Sequence, residues 1–321
     1  MNEKNLLDIL IIGNLNCDML GRVTHMPEAD EEVALETLEN FLGGSGANLA
    51  VVAARLGMRV ALFSAVGDDK QGVSLVKMLD EQGVSSEHVK RVPGKRSGMV
   101  FGVVEPDGER RLFSYRGANS ELKAEDITDE ELSTAKRIHL SSPAYDLALD
   151  VLKRARALGL ATSMDPGSAL INAQDINELL PLSDILFVNE VEFKKLSQGE
   201  DYQKRAEDLH NRGTDWIVLK HQEQGSALFR PGQLPLTQNA FEIQAVDTTG
   251  SGDAFDAALL YAVMQSYEMS EWLKLANAAG AMNALLPGAV TGVPEGIGAI
   301  EAFMRRTSLR GEGILLYQGE A

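Results

Sequence analysis

Between residues 245 and 262 the chain reads AVDTTGSGDAFDAALLYA. Glycines at 250 and 252 fall where a strand would end and a long apolar helix would begin. Backbone N–H groups at such a helix start point outward, and the helix dipole adds partial positive charge, so this segment can bind an anion, with phosphate the obvious guest. Asp253 is then out of place. A carboxylate beside a bound phosphate repels it unless it has a task of its own, such as accepting the proton of an attacking hydroxyl. The same aspartate reads equally as a plain helix cap. A second glycine cluster, FLGGSGANLAVVAARLG at 41–57, places Gly43, Gly44 and Gly46 before another helix. Glycines allow a ligand close to the backbone, and Asn48 offers both donors and acceptors to hydroxyl groups. This is not the dinucleotide fingerprint, whose third glycine would fall on Leu49, and no Walker A sequence is present. The stretch NEVE at 189–192 reads, on its residues alone, as an acidic helix start.

These residues need elements to hold them. LDILIIG at 7–13 and VALFSAVG at 60–67 are continuous apolar runs, as in strands buried on both faces of a parallel sheet. Helices follow at 44–57, with Gly57 as its cap, and at 70–83. Segments 97–104 and 110–116 pair around a turn at Pro106-Asp107-Gly108, and 19–42 breaks into short strands outside the main sheet. Strands at 137–141, 160–164, 184–188 and 215–220 alternate with helices at 145–158, 190–196 and 202–212, a βαβ series. A hairpin at 225–245 and helices at 251–266, 270–286 and 295–305 complete the pattern. The tail from Thr307 onward has no evident partner. The expected fold is a three-layer α/β/α sandwich with a mostly parallel central sheet, one domain over 1–321, carrying a small β-sheet lid from about 19–42 and 97–116.

The chain has 321 residues, 44% apolar and 24% charged, which is the composition of a globular protein. Lys plus Arg total 30 against 47 Asp plus Glu, a formal charge of −17 that repels nucleic acid and anionic membranes. Phosphate binding therefore cannot rest on bulk charge. A single cysteine, Cys17, excludes an internal disulfide and fits a reducing cytoplasm; it reads as a small hydrophobe on a core strand. No apolar run reaches the roughly 18–20 residues of a membrane span. The five histidines are scattered without metal-ligand spacing.

Taken in order, GNLNCD at 13–18, GGSGAN at 43–48, AVGDD at 65–69, YRGAN at 115–119, NEVE at 189–192 and DTTGSGD at 247–253 resemble the signatures of the ribokinase-like PfkB carbohydrate kinases. The resemblance spans roughly residues 7–305. It implies that Asp253 is the catalytic base and that Gly250, Ser251 and Gly252 form the loop stabilising the transferred phosphoryl group. It implies that Asn16, Asp18, Gly43, Gly44 and Asn48 hold sugar hydroxyls. Asn189 and Glu192 match the motif that organises magnesium through water. Lys220 and Gly225 fall near the nucleotide phosphates, and Asn277 on the helix beside adenine. Asp247 and Thr249 match a loop that in several members binds a monovalent cation, potassium being the candidate, with Gly288 near. ATP and Mg²⁺ are thus the expected co-substrate and metal, a sugar or nucleoside the acceptor, and a homodimer through the lid the expected assembly.

Two departures stand out. Gln222 replaces the family's strand-end glycine, and Ser141-Ser142-Pro143 lacks the glutamate that ribokinases often carry, which counts against ribose itself. Residues 90–116 hold seven basic side chains against three acidic ones in an otherwise acidic chain. Arg116 is accordingly the candidate contact for the carboxylate of an acidic sugar such as 2-keto-3-deoxygluconate. A nucleoside kinase, with Phe41, Phe101, Phe113 or Tyr115 stacking on a base, and a non-catalytic sugar sensor are the rival readings.

Overall fold

The apolar runs form the centre of a computed structural model, which describes residues 6–106, 109–172, 176–311 and 313–314. In chain order the strands are β1 (Leu7–Gly13), β2 (Asn16–Arg22), β3 (Thr37–Gly43), β4 (Val60–Gly67), β5 (Val84–Ser85), β6 (Val89–Val92), β7 (Gly98–Val104), β8 (Arg110–Tyr115), β9 (Ala135–Ser141), β10 (Ala161–Asp165), β11 (Ile185–Asn189), β12 (Trp216–Lys220), β13 (Ser226–Phe229) and β14 (Leu236–Gln238). The helices are α1 (Ser45–Arg55), α2 (Lys70–Glu81), α3 (Asp129–Leu132), α4 (Tyr145–Ala157), α5 (Gly167–Ile171), α6 (Glu190–Leu196), α7 (Tyr202–Asn211), α8 (Ser251–Met264), α9 (Met269–Asn283) and α10 (Ile297–Arg306).

The main sheet runs β14-β13-β12-β11-β10-β9-β1-β4-β5, with β6 also on β4. It is parallel except at β12-β13-β14. Alternation along β1 explains the layers. Ile9 and Ile11 join one buried cluster, with α1, α8 and α9, while Leu10 and Ile12 join another, with α4 and α6. Successive side chains of a strand point to opposite faces, so a run of apolar residues demands a cover on both sides. Three layers result.

A second sheet, β3-β2-β7-β8, stands off the main one as a lid. Its register pairs Asn16 with Gly43 and Gly98, Asp18 with Phe41 and Val100, and Val100 with Ser114. Paired residues share a face, which puts Asn16, Asp18 and Phe41 on one side and Met19, Phe101 and Phe113 on the other.

Several expectations shift. The lid begins at Asn16, so Cys17 is a half-buried residue of a lid strand and not a core-strand residue. Strands β5 and β6 were not foreseen; both are short and only half apolar. The tail does find a partner: Glu242 N donates to Ser308 O at 2.9 Å, Arg310 N to Ala240 O at 2.8 Å, and Phe241 bridges Leu309. Asp107 and Gly108 of the expected turn lie outside the described residues.

Candidate active site

The carboxyl ends of the parallel strands converge on one edge: Gly13 beside Ser141, Ser141 beside Asp165, and Asn189 beside Lys220. In open α/β sheets ligands bind outside these ends, because the following helices start there with free N–H groups. Helix α8 also starts at this edge, with Gly252 over the Lys220 strand end. Its 14 residues are apolar on nearly all sides, burying Ala254, Phe255, Ala257, Ala258, Leu259 and Leu260 against α1 and α9. Gly250 caps it in the left-handed region, φ 71°, and a Cβ there would fall inside the carbonyl oxygen of Ala289. Only glycine makes this turn. Ser251 Oγ is buried without a partner at the same end.

Asp253 does not cap. Its Oδ2 accepts a hydrogen bond from Asn48 Nδ2 at 2.8 Å, across 205 residues of sequence. Burial pushes its carboxyl up to about 6, with the Asn48 bond opposing the shift. Asp18 is likewise raised to about 6 by burial. Gly43 lies against that carboxylate so closely that any side chain there would overlap it. Asp18 Oδ1 and Asn48 Oδ1 are both buried and lack partners. Orphaned buried acceptors are costly unless a ligand supplies donors, and a polyol supplies several. Asn16 Oδ1 accepts from Asn119 Nδ2 at 2.9 Å; Asn119 also accepts from Leu15 N and donates to the carbonyls of Leu15 and Arg116. Asn119 holds the floor of the site. Its presence in YRGAN was legible, but its role was not.

Beneath the α8 start lies a buried charge cluster. Lys220 Nζ donates to Asp165 Oδ2 at 2.7 Å and to Asp256 Oδ2 at 2.9 Å. A Cβ on Gly252 would sit 3.6 Å from that ammonium, so Lys220 underlies the start of α8. Its two carboxylates hold Lys220 firmly protonated against desolvation. Burial and the Asp165 charge push Asp256 well up, and Lys220 outweighs burial to hold Asp165 down. Asp165 and Asp256 were not singled out by sequence, since each looks like an isolated acid.

Asn189 and Glu192 form a capping box on α6: Asn189 Oδ1 accepts from Glu192 N at 2.9 Å, and Glu192 Oε2 from Asn189 N at 3.0 Å. Glu192 is buried, and burial followed by the Asp165 charge raises its carboxyl. Asn277 donates to the carbonyls of Gln238 and Asn239, and so anchors the end of β14. Gly225 closes the β12-β13 turn, its carbonyl accepting from His221 N. Asp247 and Thr249 receive the guanidinium of Arg110 from the lid. Arg116 is exposed and, with Arg96, has no side-chain partner among the described residues.

The sequence profile described as "pfkB family carbohydrate kinase" matches residues 6–296. An ATP-dependent ribose-1-phosphate kinase of Halopiger xanaduensis is 32% identical over 88% of this chain and 93% of its own. A ribokinase of Haemophilus influenzae is 28% identical over 89% of this chain and 95% of its own. The structure of Arabidopsis thaliana ribokinase complexed with ribose and ATP superposes with TM-score 0.84 at 25% identity, covering 94% of this chain and 99% of that one.

Proposed function

The chain belongs to the PfkB family of carbohydrate kinases, and from that membership we propose that it transfers the γ-phosphoryl group of ATP to a hydroxyl of a small sugar with Asp253 as base. It is a phosphotransferase with an alcohol as acceptor. The observation that carries the finer reading is the pairing of Asp253 with Asn48 beside two orphaned buried acceptors, Asp18 Oδ1 and Asn48 Oδ1. Those oxygens take hydrogen bonds from adjacent sugar hydroxyls and orient one of them toward Asp253. Asp253 accepts that hydroxyl's proton as its oxygen attacks the γ-phosphorus and the bond to the ADP leaving group breaks. The Gly250 to Asp253 amides and Lys220 face the phosphoryl oxygens, where removing one such donor typically costs about 3–4 kcal/mol of barrier.

Among the described residues no cluster of three or more acidic, His or Cys side chains could hold a metal ion. Magnesium keeps several waters and takes one or two carboxylates together with phosphate oxygens, and the buried Glu192 beside Asn189 suits that role. A magnesium ion held there would supply positive charge against the phosphate oxygens. Asn189 and Glu192 hold each other's orientation through the capping box whether or not it is present.

A specific observation favours an anionic acceptor. Among the described residues Arg96 and Arg116, whose carbonyls accept from Ala118 N and Asn119 Nδ2, have no side-chain partner, whereas Lys90, Lys95 and Arg111 of the same basic stretch are ion-paired to Asp126, Glu121 and Glu105. A sugar phosphate such as ribose 1-phosphate, the substrate named for the 32%-identical relative, or a sugar acid fits that corner. ADP release should be measured with ribose 1-phosphate, 2-keto-3-deoxygluconate, ribose, fructose, fructose 6-phosphate, adenosine and cytidine. An anionic sugar should give the highest kcat/KM, and Arg116→Ala should lower it by about 10- to 100-fold, the worth of a charge-assisted hydrogen bond. Release with neutral sugars alone would remove the anionic reading. Adenosine or cytidine as best acceptor would favour the nucleoside kinase, and no release with any compound would favour a sensor.

The outer face of the lid supports a homodimer. Leu38, Phe113 and Tyr115 lie there with 49%, 60% and 48% exposure, apolar area that a second copy would cover. Sedimentation should find a dimer that Phe113→Glu converts to monomer; an unchanged dimer would place the interface elsewhere.

A further inference from the structure

Arg110 stands on lid strand β8, yet its guanidinium reaches the main body. Nη1 donates to Asp247 Oδ1 at 2.8 Å and to Thr249 Oγ1 at 2.5 Å. The same carboxylate has further tasks: Asp247 Oδ1 accepts from Thr249 N at 2.9 Å and Thr249 Oγ1 at 2.7 Å, and Oδ2 accepts from Gly288 N at 3.0 Å. Asp247 therefore ties the turn before Gly250 to the loop at 288–289, against whose Ala289 carbonyl Gly250 rests. Asn283 clamps the same two loops, donating to Thr249 O at 2.8 Å and Ala289 O at 3.0 Å. The α8 amides have their positions only if these two loops keep theirs.

Among the described residues the Arg110–Asp247 pair is the single ion pair joining a lid strand to this anion loop. It is partly shielded, with Arg110 37% and Asp247 11% exposed. Phe41, on the site-facing side of the lid, packs over Gly288 beside it. The lid thus touches the loop by one charged and one apolar contact, both on the segment that sets the α8 start.

Resting on the kinase reading above, we propose that Arg110 is a positioning residue for phosphoryl transfer, joining lid closure to assembly of the anion loop and itself supplying the positive charge at Asp247 and Thr249. With the lid down, this contact completes the anion loop under a cover that keeps water out, which limits transfer to water. It also makes a monovalent cation at those two oxygens unnecessary.

The test compares full-length wild type, Arg110→Gln and Arg110→Lys. Amide hydrogen exchange without ligands should accelerate at Thr249 to Asp253 and at Gly288 in Arg110→Gln, with Arg110→Lys in between. With the best acceptor, kcat of Arg110→Gln should fall by about 10²-fold, the cost of misplacing a reacting group by about 1 Å, while KM for ATP stays within a few-fold. Non-denaturing guanidinium should restore part of that rate, and tetramethylammonium should not. Wild type should turn over equally in potassium and tetramethylammonium salts. Unchanged exchange and kcat in Arg110→Gln would overturn the positioning role, and a strict potassium requirement in wild type would overturn the charge-supplying role. If no acceptor is phosphorylated, the kinase reading fails separately, and the exchange measurement still decides whether Arg110 orders the loop.

Discussion

Asp253→Asn is expected to lower kcat by on the order of 10²- to 10⁴-fold, the usual worth of a positioned general base. ATP affinity should hold, because the amides of the α8 start and Lys220 are untouched. Thermal stability should stay level or rise. At neutral pH the native protein carries Asp253 as a carboxylate that burial disfavours, and the amide can still accept from Asn48 Nδ2 without that penalty. Loss of activity without loss of stability separates a base from a structural cap, whose removal would destabilise α8 by about 1 kcal/mol. The pH profile carries the same sign. A raised carboxyl stays protonated to higher pH and cannot accept a proton there, so kcat/KM should climb as pH rises through about 6 and level off above it. Asp18 titrates in the same range and steepens the acid limb. A rate independent of pH well below 6, or an Asp253→Asn enzyme at near-normal kcat, would remove Asp253 from the mechanism.

Lys220→Met should destabilise the protein by about 3–5 kcal/mol, the cost of removing one partner from a buried ion cluster. Lys220, Asp165 and Asp256 have side-chain exposures of 14%, 16% and 1%. Without the ammonium, Asp165 keeps a buried charge with no counter-ion. The melting temperature should drop by on the order of 10 °C. Adding Asp165→Asn and Asp256→Asn to Lys220→Met removes the stranded charge and should recover most of that stability, since neutral replacements of a buried cluster are often tolerated. Phosphoryl transfer should not recover, because the cation under Gly252 is still missing. A single mutant that melts like wild type would mean the cluster contributes nothing to the fold. A triple mutant with restored turnover would mean Lys220 has no part in handling phosphate.

The sequence by itself determined the layers. The runs at 7–13 and 60–67 have no polar face to give to water, so they had to become central strands, and the helices at 251–266 and 270–286 had to be buried between others. It also determined where α8 begins, because two glycines run directly into a long apolar stretch; the strand expected to lead into them ends earlier, at Gln238. Only the tertiary structure decided what each acid touches. Asp253, which reads from the sequence as a cap or a base, carries on its oxygen Asn48, 205 residues away. Asp165 and Asp256 gained meaning from Lys220, two strands along the sheet from Asp165 and beneath the helix that carries Asp256. Asp247 and Thr249, expected at a cation loop, meet an arginine from the lid. The tail at 308–310 found its edge beside 240–242. Burial follows a periodicity written along the chain, whereas a hydrogen bond or ion pair depends on which strand ends and loops are brought together. That pairing is a property of the folded sheet, and no local window contains it.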